Sequence, residues 1–458
     1  MTLPLPSYND DPKSFAYPTV HKRWPTIIEG AIDDLNLTIK QDPNLAKSGS
    51  VIIEKLSKLL KDFKNDLEIE PFTQDDIKLN PSLTHYNDHF SQLNPIKKIT
   101  WLTGPWLYLE CYLYQLIHLF FLQSDEPFWS TFDIFNRLKT KTFQQSESGV
   151  LELCKRYQVL HDQLTNESNK IDESLLKILF TEFIDISLWG NATDLSLLAG
   201  NVTLEDIKSV QGAEVRKKNE EKIIVNDLPQ AWSEFISSKG NRNVDIVLDN
   251  SGFELFADLI LTLFLLDSKL SNQITIHCKE IPWFVSDTMP KDFDALLNQL
   301  IDPSFYPNIH NSNEDSKLII NLHNQLKHYF DTGKLKVSHH SFWTLSYNYW
   351  EIPQFSDLYN QLSSSSLIIF KGDLNYRKLT GDLQWDKTTP FLTAIQQLAS
   401  SKLPILTLRT CKADVTVGLP KGLNEKLIET YKNDGNEVGE FWTSSGKWAV
   451  ISFSNGNN

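Results

Sequence analysis

Cysteine is scarce in this chain: four residues in 458, Cys111, Cys154, Cys278 and Cys411, far apart and with no C-x-x-C spacing. That argues against a disulfide framework or a structural zinc site and points to a reducing interior. Positive charge is in deficit too, with 44 Lys and Arg against 58 Asp and Glu and a formal net charge of −14. This excludes a broad basic footprint for nucleic acid or an anionic membrane and leaves room only for a small basic pocket. Long apolar runs are missing. The stretch 106–123 is interrupted by Glu110, Gln115 and His118, and 259–266 is only eight residues long, whereas a span needs about 20 largely uninterrupted apolar residues. The opening residues, Met1 to Pro12, have neither the charged n-region nor the apolar h-region of a leader. There is no repeat of fixed period and no low-complexity tract. The expectation is a soluble protein of the cytosol or nucleus, monomeric, with neither nucleic acid nor membrane as a partner.

What is present is apolar and aromatic mass: 41% hydrophobic residues, with 12 Trp, 14 Tyr and 26 Phe. That is enough for a large core, and the length reads as two or three domains. Up to about residue 235 the pattern is helical, with apolar residues at three- and four-residue spacing over 24–36, 48–63, 105–123, 150–166 and 173–186. The charged run from Lys217 to Lys222 reads as a solvated crossing. After residue 240 short apolar strands (243–248, 273–278, 334–338, 365–370, 404–408, 447–453) alternate with helices (253–266, 291–301, 314–329, 391–400, 422–432). This alternation predicts a doubly wound, mostly parallel α/β sheet. The expected organisation is a helical N-terminal domain over 1–235 and an α/β domain over 236–458. In such a sheet, chemistry gathers at the carboxyl ends of the strands.

Polar residues stand at four of those ends. The first strand runs into Asp249-Asn250-Ser251-Gly252, which offers oxygen ligands suited to a hard cation such as Mg²⁺ or Mn²⁺. Helix capping explains the same residues. Asp287 follows the second strand, where it either caps a helix or closes on the same cation. Lys371-Gly372-Asp373-Leu374-Asn375-Tyr376-Arg377 follows the strand at 365–370, either as a solvated turn or as donors for phosphate and hydroxyl groups. Arg409-Thr410-Cys411-Lys412 follows the strand at 404–408 and reads as a surface pair or an anion site. Oxygen ligands at two ends and cations at the other two are complementary, and together suit metal-assisted phosphoryl transfer to water. His339-His340 looks like a metal pair, but adjacent strand residues face opposite ways.

Taken together, Asp249-Asn250-Ser251-Gly252-Phe253-Glu254, Asp287, the run from Lys371 to Arg377, and Arg409-Thr410-x-Lys412 resemble the metal-dependent damage-control phosphatases. The Arg-Thr-x-Lys form is similar to subfamily III, a eukaryotic branch that includes sugar-phosphate phosphatases. Lys22-Arg23-Trp24-Pro25, Gly104 to Tyr112 and Leu188 to Ser196 match as well, so the resemblance covers nearly the whole chain. It implies an all-helical N-terminal domain on a Rossmann-like α/β/α domain. It also implies that Asp249, Asn250 and Asp287 hold Mn²⁺, Co²⁺, Ni²⁺ or Mg²⁺, and that Asp373, Leu374, Asn375, Tyr376, Arg377 and Lys412 bind a phosphorylated metabolite such as fructose 1-phosphate. Hydrolysis by a metal-activated water is then expected, with Asp373 or Asp287 as general acid.

Three rivals stand beside this reading. An S-adenosylmethionine-dependent carboxyl methyltransferase would use Glu280 as its ribose-binding acid, but it wants a Gly-rich turn where the chain has Asp-Asn-Ser-Gly. An aspartyl-nucleophile phosphatase wants a second Asp at position 251, which is Ser. A pure interaction protein leaves the polar strand ends unexplained.

Overall fold

The computed structural model describes residues 2–165, 172–190, 220–238, 240 and 242–457. Residues 191–196 of the matching phrases and 217–219 of the charged run lie outside the described residues. Seven strands form one sheet: β1 Ile223–Asn226, β2 Asn243–Val247, β3 Gln273–Cys278, β4 Leu335–His339, β5 Leu367–Lys371, β6 Ile405–Thr410 and β7 Ala449–Ser454. Their order is β1-β7-β6-β5-β2-β3-β4. The five strands from β6 to β4 run parallel, β7 is antiparallel to β6, and β1 is parallel to β7. The chain winds outward from β2 through β3 to β4, then returns to β5 on the other flank of β2. The carboxyl ends of β2 and β5 therefore bound a topological switch point, where ligands of open α/β sheets bind.

Alternation along the strands sends apolar side chains to both faces. Val247, Ile368, Phe370 and Ile405 point into one core. Its other wall comes from helices α1 (Trp24–Gln41), α2 (Ala46–Lys64), α3 (Leu83–Leu93) and α4 (Trp106–Leu122). Val244, Ile246, Ile369 and Leu406 point into a second core, with α5 (Asn136–Gln144), α6 (Glu147–Thr165), α7 (Glu173–Trp189), α8 (Leu228–Ser237) and α9 (Phe253–Asp267). The helical first half is thus shared between the two faces of the sheet. The boundary expected near residue 235 falls inside α8, and β1 ahead of it already belongs to the sheet. Four residues beside a charged run carry too little pattern for β1 to be read.

Three further differences bear on function. β6 continues through Arg409 and Thr410, because both residues pair with β7 across an antiparallel ladder. Residues 372–380 form helix α10 (Gly372–Thr380), which is buried rather than a solvated turn. The helix expected over 391–400 is a short α-turn, Phe391–Ala394, followed by a 3-10 turn, Gln396–Ser400. The helices expected at 291–301, 314–329 and 422–432 are present as α11 (Pro290–Leu300), α12 (Asn313–Asp331) and α13 (Leu423–Asn433). All four cysteines are buried and free. Among the described residues, no helix is long and apolar enough to cross a membrane.

Buried charges lock the first half onto the strand ends. Lys139 of α5 is 3.1 Å from Asp133 and 2.8 Å from Asp292, and it donates to the Asp287 carbonyl at 3.0 Å. Glu110 of α4 accepts from Trp24 Nε1 at 3.2 Å and from Arg377 Nη1 at 2.8 Å, while Arg377 also clasps Asp382 and lies 3.8 Å over the Trp106 ring. Removing one partner of such a pair strands a charge without solvent. Lys139→Ala is therefore expected to cost about 3–5 kcal/mol in chemical denaturation; a loss below about 1 kcal/mol, as for an exposed pair, would show that Lys139 does not hold the two halves together.

Candidate active site

The strand-end loops after β2 and β3 are joined backbone to backbone. Thr288 N donates to Asp249 O at 2.8 Å, Asn250 bridges Asp287, and Ser251 N donates to Ser286 O at 2.7 Å. Asp249, Asn250 and Asp287, separated by up to 38 positions, thus meet at one corner. The β3 loop reaches it through a strained turn, with Phe284 at φ 45° and Val285 at φ 73°. A β-branched residue at positive φ is costly and persists only where surrounding contacts enforce it. Here the Phe284 ring stacks on Tyr114 of α4 at 4.9 Å and Trp283 is fully buried.

On the β5 side, Asp249 lies directly over Gly372. An ideal Cβ on Gly372 would fall 1.8 Å from Asp249 Oδ2, and Gly372 sits at φ 83°. No other residue fits there.

This corner carries surplus negative charge. Burial, then Glu254 and Asp287, hold the Asp249 carboxyl well above its usual range. Burial pushes Asp287 up to about 6, against the pull of Lys279 and Lys139. Asn250 Nδ2 donates to Asp249 Oδ2 at 3.0 Å and to Glu254 Oε2 at 2.8 Å, while its Oδ1 accepts from Ser286 Oγ at 2.5 Å. The buried Asp287 Oδ2 makes only a 3.3 Å ion pair with Lys279. Among the described residues no three His, Cys, Asp or Glu side chains gather into a metal cluster. The available set is two carboxylates and an amide. Hard oxygen donors, an under-bonded carboxylate oxygen and mutual repulsion together fit a divalent cation of the Mg²⁺ or Mn²⁺ type.

The basic end is built differently from the sequence expectation. Arg409 is fully buried and committed: Nε donates to Asp373 Oδ1 at 2.8 Å, and the Nη atoms donate to the carbonyls of Val415 and Ala413. Asp373 Oδ1 also accepts from the Lys412 backbone N–H at 2.9 Å. Arg409 and Asp373 therefore shape the loop that presents Lys412, whose ammonium has no hydrogen bond or ion pair among the described residues. Lys412 and Thr410 line a cavity of about 700 Å³ together with Asn250, Ser251, Glu254 and Ser286. Arg23 and Lys139, from the helical half, line it as well.

A family profile described as the damage-control phosphatase ARMT1-like domain matches residues 19–427. The chain belongs to that family. It is 34% identical to the damage-control phosphatase ARMT1 of Macaca fascicularis over 98% of both chains, and 34% identical to the Homo sapiens protein of that name, again over 98% of both. The Bos taurus protein is 35% identical over 97% of each. A crystal structure of a DUF89 family protein from Pyrococcus horikoshii aligns with 75% of this chain and 88% of its own at 16% identity and a TM-score of 0.35, too distant to bear on the argument.

Within this family member, the structure divides the expected site residues in two. Asp249, Asn250, Asp287, Asp373, Thr410 and Lys412 come together. Leu374, Asn375, Tyr376 and Arg377 are buried in α10 and turn away from the cavity. Asn375 Nδ2 donates to the carbonyls of Val247, Leu248 and Lys371, and its Oδ1 accepts from Tyr349. Tyr376 lies 4.3 Å under Arg409, and its hydroxyl accepts from Val417 N. Glu280 pairs with His339 and His340 with Asp357, so the histidines point apart.

Sequence reasoning assigned no role to Arg23, Lys139, Lys279 or the Glu254 side chain. Glu254 had a local signal, four residues after Asn250 on a helix start, and Arg23 stood in the matching phrase Lys22-Arg23-Trp24-Pro25.

Two outcomes follow from this geometry. Gly372→Ala should expel the Asp249 carboxylate and abolish divalent-ion binding by calorimetry; retained binding would mean that Asp249 need not lie over Gly372. Asn375→Ala orphans a cluster of carbonyls and should cost about 2–3 kcal/mol in urea unfolding without reordering substrates. A changed ranking of sugar phosphates at unchanged stability would return Asn375 to the binding site.

Proposed function

We propose that this phosphatase removes phosphate from sugar phosphates, fructose 1-phosphate among them, and from related small phosphometabolites, in the manner of metabolite repair. The observation that carries the reading is the switch-point corner. Asp249, which lies over Gly372, meets Asn250 and Asp287 there, and Asn250 lines the same cavity as the unpaired Lys412. Asp249, Asn250 and Asp287 would hold a divalent cation. Such an ion neutralises phosphoryl charge and acidifies water; Mn²⁺, Co²⁺, Ni²⁺ or Mg²⁺ are the candidates.

The remaining work falls to the chain itself. Lys412 would place a point charge against the phosphoryl oxygens, and the hydroxyls of Ser251 and Thr410 offer hydrogen bonds along the wall. Asp373 and Arg409 keep that lysine in place by bonding its backbone and loop. The amide of Asn250 is oriented by two carboxylates on its NH₂ group, so its oxygen, which accepts from Ser286 and keeps a second lone pair, is the atom that would meet a ligand. No glycine-rich turn follows β2 to cradle a nucleoside cofactor, which weighs against the methyltransferase reading. Four buried thiols accord with a reducing compartment, the cytosol or nucleus.

Phosphate release should stop on chelation and resume with Mn²⁺, Co²⁺ or Ni²⁺; full turnover in excess EDTA after dialysis would overturn the metal assignment. Asp249→Ala should lose activity. Lys412→Ala should lower kcat/KM for every phosphomonoester by a similar factor, about 2 kcal/mol for a charge-assisted bond, measured as phosphate release across a panel of substrates.

A further inference from the structure

Around the strand ends, almost every basic group is already engaged. Lys139, Lys279, Lys371, Arg377, Lys378 and Arg409 are buried, and each is held by carboxylates or carbonyl oxygens. Two cations on the cavity wall are not. Lys412 is one, and Arg23 is the other: its guanidinium is exposed and has no hydrogen bond or ion pair among the described residues. In a chain of net charge −14, carboxylates to pair with are abundant.

Arg23 is nevertheless not on a loose tail. It ends the five-residue π-turn Thr19–Arg23, an irregularity of the kind found at functional sites. The next residue, Trp24, is fully buried, and its indole donates to Glu110, which is paired in turn with Arg377 of α10. Since α10 begins at Gly372 and Asp373, the backbone of Arg23 is tied through three side chains to the helix that shapes the catalytic corner. The charge of Arg23 is also felt at the same buried phenol as that of Asp287. Burial raises the Tyr114 pKa, Glu110 and Asp287 raise it further, and Arg23 opposes the rise. Arg23 therefore reaches the cavity from the helical half, and Lys412 from the loop after β6.

We propose that Arg23 is a second anion-binding residue of the cavity, so that the preferred substrates are phosphomonoesters bearing a further anionic group, a second phosphate or a carboxylate. This deepens the phosphatase reading and rests on it for the role of Lys412. Lys412 takes the phosphate that is released, and the guanidinium of Arg23 takes the distal anion through its planar fork of donors. A neutral sugar phosphate satisfies only one of the two.

Both binding and turnover test this, with a hexose bisphosphate, a phosphorylated sugar acid and fructose 1-phosphate as probes. Dissociation constants by calorimetry should favour the two doubly anionic compounds in the wild type by about tenfold. Arg23→Ala should erase that preference, and Arg23→Lys should restore part of it. KM in Mn²⁺-supported phosphate release should follow the same pattern, with kcat shifting far less than KM. If only the bisphosphate or only the sugar acid gains from Arg23, the distal group is phosphate or carboxylate respectively. If phosphate is released but Arg23→Ala leaves the preference intact, or weakens all three ligands equally, the second site is wrong and the phosphatase reading stands. If Arg23→Ala erases the preference but no ester is hydrolysed, the anion site stands and the phosphatase reading falls.

Discussion

Asp249 has to occupy space that belongs to the backbone of a neighbouring strand. It can do so only because position 372 has no side chain and turns at φ 83° straight from β5 into α10. Three consequences follow from this close approach. The carboxylate is held in a dry corner where its charge is costly, which raises its pKa. Helix α10 starts at once, so Asp373 falls in its first turn, within reach of Arg409 and the Lys412 backbone. The carbonyls at the end of β2 are brought against Asn375, which satisfies them. A methyl group at one position would disturb the Asp249 corner, the Lys412 loop and the strand end together.

The chain handles buried charge consistently. Lys371 at the end of β5 meets Asp258 at 3.0 Å and Glu254 at 3.5 Å, and it donates to the Ser187 carbonyl of α7. Arg377 sits between Glu110 and Asp382, and Lys139 between Asp133 and Asp292. Each of these cations joins elements distant in sequence through at least one partner: Lys371 through Asp258, Arg377 through Glu110 and Lys139 through Asp292. Ion pairs of this kind add little net stability over apolar packing, but they tolerate no loss of a partner. They act here as registration pins. They set the helical half against the sheet closely enough for residues from both to share one cavity, where Arg23 and Lys412 have no hydrogen bond or ion pair among the described residues.

The α/β alternation after residue 240, the parallel sheet and the principal helices were legible because burial on both faces of a strand and on one stripe of a helix leaves periodic apolar marks. The polar strand ends were legible because open sheets concentrate ligands there. Legibility ended where polarity changed meaning with environment. Asp373, Asn375 and Arg377 are equally polar in the sequence, yet Asp373 braces the Lys412 loop while Asn375 and Arg377 serve the core. Arg409 looked like an anion binder; the strand that carries it runs two residues further than expected and draws its guanidinium into the protein.

The sequence by itself determined the kind of fold, the family to which the chain belongs, and the oxygen ligands of Asp249 and Asn250 at the end of β2. These depend on residue types at short spacing: a strand, a tight turn and a helix start are local events. Only the tertiary structure decided which polar residues line the cavity, that Asp287 joins Asp249 and Asn250, that the helical half divides between both faces of the sheet, and that Arg23 and Lys412 line one cavity. Those outcomes depend on which distant partner reaches each charge first. In a chain with so many carboxylates, local composition cannot distinguish a cation that will be paired from one left free.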